Sequence, residues 1–165
     1  MKRFFPVLFL ILGCSWFAAP ATAQSSSGDK DVSFSASFSH LTEDKETDGF
    51  LVANLRYGQY LTDSLQLGGG LIVGGPVDDL DKSVDFEVFA AYYFSPEKTN
   101  TWYVRGGYFS SFDDPGKGFV DGAGGFKSYF NEKVAFFWEA GYGTAIDSEV
   151  DGGVVRSIAG ITYTF

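Results

Sequence analysis

The chain closes on RSIAGITYTF (156–165), ten residues in which two kinds of side chain alternate. Ala159, Ile161, Tyr163 and Phe165 occupy every second position, with Gly160, Thr162 and Thr164 between them. A period of two belongs to a strand whose two faces meet unlike surroundings. The apolar face has to meet either a protein core or lipid.

The same alternation recurs along the chain. VSFSASFS sets Val32, Phe34, Ala36 and Phe38 against Ser33, Ser35, Ser37 and Ser39. LVANLRY opposes Leu51, Ala53, Leu55 and Tyr57 to Val52, Asn54 and Arg56; beyond the turn TDS at 62–64, Leu65, Leu67, Leu71 and Val73 share one face. VDFEVFAAYYF opposes Val84, Phe86, Val88, Ala90, Tyr92 and Phe94 to Asp85, Glu87, Phe89 and Ala91. WYVRGGYF places Trp102, Val104 and Tyr108 opposite Tyr103 and Arg105, and FVDGAGGFKSYF places Val120, Phe126 and Phe130 opposite Asp121, Lys127 and Tyr129. VAFFWEAGY sets Val134, Phe136, Trp138, Ala140 and Tyr142 against Glu139 and Gly141. The final strand adds Val155 to the four residues above, against Arg156, Thr162 and Thr164. Eight strands are predicted, in a composition rich in aromatics and glycine (18 Phe, 9 Tyr, 21 Gly) that suits strands and turns.

The connections alternate in kind. Those after strands two, four and six are short (TDS, SPEKTN, NEK), whereas 41–49, 74–83, 111–118 and 144–152 are longer and acidic. This pattern predicts an all-β fold, an eight-stranded antiparallel up-and-down barrel with short turns at one end and loops at the other. The four loops hold 12 Asp/Glu and 3 Lys, a charge of −9 equal to that of the whole chain, so the acidity belongs to an exposed rim. With a pI near 4.4 the chain offers no phosphate-binding field, and nucleic acid is excluded as a partner.

Which face points inward is settled by the charges. The apolar set carries none, while the opposite set carries Arg56, Asp85, Glu87, Arg105, Asp121, Lys127, Glu139 and Arg156 among Gly and Ser. A soluble barrel, the structural alternative, would bury Trp102, Trp138 and most Phe and Tyr residues in a lumen wide enough only for packed side chains or one small ligand. A transmembrane barrel turns the aromatics outward to lipid and fills its lumen with a network of paired charges. Closure also satisfies every backbone donor and acceptor inside hydrocarbon.

The opening MKRFFPVLFLILGCSWFAAPATAQ reads as a secretory leader: Lys2 and Arg3, an apolar run, then Ala21-Thr22-Ala23. Its apolar run, interrupted by Pro6 and Gly13, is short of the roughly twenty residues of a spanning helix. Residues 1–23 are assigned to the signal peptide, 24–30 to a short polar lead and 31–165 to the barrel domain. A competing reading takes Ile11-Leu12-Gly13-Cys14 as an imperfect lipobox with Cys14 lipidated. Under the first reading the mature chain has no cysteine and no disulfide.

The C-terminal residues Ala159, Ile161, Tyr163 and Phe165 resemble the terminal signature of Gram-negative outer-membrane barrels, a final Phe preceded by apolar or aromatic residues at alternate positions. YGQYLTDSLQLGGG likewise resembles the periplasmic turns of small barrels of the OmpA/OmpX/opacity type, and the resemblance covers 31–165. It implies location in the outer membrane, recognition of the signature by the barrel-insertion machinery, and contact with outer-membrane lipids and lipopolysaccharide. It also implies short turns and both termini in the periplasm and loops outside; the chain itself is expected to be a monomer.

Some barrels of this size are enzymes acting on lipid, which brings His40, the single histidine, into question beside Ser39, Glu43 and Asp44. Adjacent strand residues point to opposite faces, so Ser39 and His40 do not share a site. DSEVDG (147–152) begins like a calcium loop, but the twelfth position, where a bidentate glutamate belongs, is Ile158. Neither GGG (68–70) nor GAGG (122–125) opens a helix, so neither is a phosphate cradle. The expectation is a non-enzymatic barrel without metal or cofactor, structural or surface-interacting through its acidic loops. A narrow pore and a lipid-modifying enzyme are the rival readings.

Overall fold

Residues with alternating apolar side chains extend into eight strands, seen in a computed structural model that describes residues 25–41, 49–76, 83–112, 118–146 and 153–165. In chain order these are β1 (Lys30–Leu41), β2 (Gly49–Tyr60), β3 (Leu65–Pro76), β4 (Ser83–Tyr93), β5 (Asn100–Ser111), β6 (Gly118–Tyr129), β7 (Val134–Ala145) and β8 (Gly153–Thr164). Each pairs antiparallel with its sequence neighbours, and β8 pairs with β1 to close the barrel. The leader with Cys14, most of each acidic loop, the DSEVDG segment and the His40 side chain lie outside the described residues.

The tight turns have local causes. Thr62 Oγ1 accepts hydrogen bonds from the backbone N–H groups of Ser64 (3.3 Å) and Leu65 (3.0 Å), reversing the chain between β2 and β3. Asn131 Oδ1 does the same for Lys133 and Val134, both at 2.9 Å, between β6 and β7. Such side-chain mimicry of a backbone turn is why Thr and Asn sit there.

The strands run further into the expected loops than the sequence suggests. Connections at the turn end span four, six and four residues, and those at the other end seven, six, six and seven. The contrast in length between the ends is therefore smaller than expected. A tilted strand needs about 9–11 residues to cross an apolar layer, and Gly74, Gly75 and Gly153 continue the ladder although their lack of a side chain hides the alternation.

The register fixes the geometry. From Asp31 the paired residues run through Gly58, Gly68, Phe89, Gly107, Asp121, Gly143 and Val154, and return to β1 at Leu41, ten residues along. A stagger of ten over eight strands tilts them by about 35–45° and leaves an interior to be filled by side chains. Side chains divide cleanly between the two faces. Phe34, Leu55, Leu71, Val88, Trp102, Val104, Ile161 and Phe165 are all exposed on the outside. Arg56, Glu87, Arg105, Lys127, Glu139 and Arg156 are all buried inside. The apolar surface is therefore on the outside and the charged surface in the core, the reverse of a soluble barrel.

Candidate functional site

The lumen holds two polar layers. Nearer the loop end, three arginines meet three carboxylates. Arg56 pairs with Glu87 and, at 3.0 Å, with Glu139. Arg105 binds Asp121 at 2.5 Å and Glu139 at 3.3 Å, and approaches Glu87 at 3.8 Å. Arg156 pairs with Asp121 and lies 3.9 Å from Glu87. Every acid thus touches at least two arginines, and the layer is electrically neutral. Guanidinium suits this position because its planar fork serves several carboxylate oxygens at once. It also presents flat faces: Arg56 stands over Phe89 and Arg156 over Phe109, at 5.7 and 4.5 Å from the ring centroids.

Nearer the turn end, the Asp31 carboxylate is the hub. It accepts hydrogen bonds from Lys127 Nζ (2.6 Å), Thr164 Oγ1 (2.6 Å), Gln66 Nε2 (3.0 Å) and the Tyr60 hydroxyl (3.2 Å). Three rings, those of Tyr60, Tyr93 and Tyr129, surround the Lys127 ammonium at 5.6, 5.6 and 4.9 Å. The Tyr103 hydroxyl donates to Glu139 at 3.0 Å and joins the two layers. Between them remains a cavity of about 30 Å³, lined by Ser33, Arg56, Gln66, Phe89, Phe137, Thr162 and their neighbours. That is space for about two water molecules, not for an organic substrate.

Glycines make this filling possible. A Cβ on Gly125 would come within 2.2 Å of Tyr103 Cζ, and one on Gly107 within 2.7 Å of Arg105 Nη1. These positions need the absence of a side chain because a large one from a neighbouring residue occupies its volume.

No family model matches the chain, and no curated protein aligns with it significantly in sequence. Solved structures do match. Neisserial surface protein A superposes with a TM-score of 0.66 at 12% identity, over 84% of this chain and 99% of that one. Ail, the attachment invasion locus protein of Yersinia pestis, gives 0.58 at 18% identity over 84% and 99%. The N-terminal β-barrel domain of Pseudomonas aeruginosa OprF gives 0.55 at 16% over 82% and 97%. The chain has the fold of the small outer-membrane barrels.

Within this barrel, seven of the eight charged residues expected in the lumen fall into the two layers. Asp85 does not. It faces inward but lies half-buried at the loop end of β4 and makes no ion pair among the described residues. Asp31 takes the fourth acidic place, opposite Lys127. In sequence it stands at the edge of the polar lead, although it continues the alternation of Ser33, Ser35 and Ser37 by one step. Tyr60 and Tyr93 also escape the sequence reading, each being the next inward residue beyond Gly58 and Ala91. Their apolar rings disguise a lumen position.

Ala159, Ile161, Tyr163 and Phe165 all lie on the outer face of β8 or just beyond its end. Phe165 and Lys30 exchange backbone hydrogen bonds of 2.9 and 3.0 Å, so the last residue takes part in closing the barrel. Among the described residues no group of His, Cys, Asp and Glu is arranged to hold a metal.

Proposed function

We propose that this chain is an integral outer-membrane β-barrel of a Gram-negative bacterium that acts without catalysis, as a structural or surface-interaction protein through its four acidic loops. The observation that carries the reading is the inversion of the barrel: a continuous apolar outer face around a lumen filled by neutralised charge. Such a surface suits lipid, and among the described residues the cavity between the two charged layers holds only about 30 Å³. Activity then falls to the ends of the barrel. The loop end carries the acidic residues, and lipopolysaccharide is the partner proposed for it in the outer leaflet.

The terminal residues Ala159, Ile161, Tyr163 and Phe165 serve as the mark read by the insertion machinery, with the leader directing export beforehand. Ail, named for attachment and invasion, carries the same architecture, which supports surface interaction as one of its uses. The test is fractionation of expressing cells, followed by gel migration with and without boiling. Outer-membrane recovery with a boiling-dependent shift is expected. Recovery in the soluble periplasm without a shift would overturn the reading.

A further inference from the structure

The segment ahead of β1 belongs neither to a strand nor to a turn between strands, yet it is fastened at several points. Ser25 is only 3% exposed, and its hydroxyl is 2.8 Å from that of Tyr129, a member of the Lys127 cage. The Ser27 N–H donates to Asp63 at 2.9 Å and its hydroxyl to the Leu61 carbonyl at 3.0 Å, both in the β2–β3 turn. Gly28 N–H donates to the Tyr60 carbonyl at 2.8 Å, and the Tyr60 N–H returns a bond to the Asp29 carbonyl at 2.9 Å. Ser26 and Asp29 close the bend locally, the Ser26 N–H donating to Asp29 Oδ2 at 2.8 Å.

The bend depends on Gly28. Its φ of +97° is the one positive value among the described glycines, in a region that L side chains rarely adopt, and a Cβ there would meet nothing. A side chain at 28 would therefore strain the backbone without a clash. From this bend the chain reaches from β2 across the barrel mouth to the Tyr129 side chain of β6.

We propose that Ser25–Asp29 is a strap that closes the turn end of the lumen, with Ser25 as its inward catch and Gly28 as its hinge. The layer of Lys127, Asp31 and tyrosines is then covered from that side, so that solvent reaches the lumen from the loop end or not at all. The strap is a conformational device distinct from the loop chemistry proposed above. It concerns the opposite end of the molecule.

The test uses the full chain with Cys14→Ser, carrying a single new cysteine, folded in detergent and treated with a water-soluble maleimide. Ser26→Cys, exposed in the same strap, is the internal reference. Ser25→Cys is expected to react at least about tenfold more slowly than Ser26→Cys, since reaction needs local opening. Adding Gly28→Val is expected to raise the Ser25→Cys rate about tenfold while the boiling-dependent gel shift persists, showing that the strap and not the barrel has released. Equal rates at 25 and 26 in the folded protein would overturn the proposal. So would protection of the Ser25→Cys thiol that is unchanged by Gly28→Val.

Discussion

Asp31 receives four donors, and removing its carboxylate strands a buried ammonium. Asp31→Ala is expected to destabilise the barrel by about 3–5 kcal/mol, the usual cost of breaking a buried ion pair from one side. Urea unfolding followed by tryptophan emission measures it. Adding Lys127→Met to that variant should recover much of the loss, because the charge left without a partner is then gone as well. At Gly125 the effect is steric. Gly125→Val puts its side chain where the Tyr103 ring lies, and a cost of about 1–3 kcal/mol is expected for overpacking, read from the same unfolding curve.

These residue-scale features are unequally legible in the sequence. Alternation reveals a face, so Arg56, Glu87, Arg105, Asp121, Lys127, Glu139 and Arg156 can be placed inside without a structure. Which charge meets which depends on the stagger between strands, and that is not written in any one strand. Asp31 and Lys127 are 96 residues apart and meet only because the register returns to β1 ten residues along. Asp85, equally charged and equally inward, falls at the opposite end of the lumen and misses the network.

At the scale of the strand, the two faces should respond oppositely to charge. Val88 is 52% exposed on the outer face of β4, between the inward Glu87 and Phe89. Val88→Arg is expected to cost about 2–4 kcal/mol in lipid vesicles, because a cation there meets hydrocarbon. A soluble barrel would show almost no cost for the same exposed substitution. Strand ends are the least legible part of each element, since Gly74, Gly75 and Gly153 carry no side chain to show alternation. The strap is hidden for a related reason: QSSSGDKD has no periodicity, and the burial of Ser25 comes from a tyrosine on β6 rather than from its own neighbours.

For the whole molecule, the filled lumen has a measurable consequence. In planar bilayers with concentrated KCl no sustained conductance steps are expected, because both layers are neutral, interlocked and separated by a cavity of only about 30 Å³. Regular open-channel steps would return the narrow-pore reading to first place. The division within the molecule is spatial, with apolar side chains on the outer wall and interlocked charges in the core.

The proposed lipid contact of the apolar outer wall can be read directly, because the protein carries its own probes there. Trp102 and Trp138 are 62% and 43% exposed on that wall, and with Trp16→Phe they are the only tryptophan emitters. The most direct measurement is their fluorescence in vesicles whose acyl chains are brominated, compared with quenching by aqueous iodide. Strong quenching by the brominated chains and little by iodide is the expected result. Quenching by iodide alone would place the wall in water and contradict the inverted barrel.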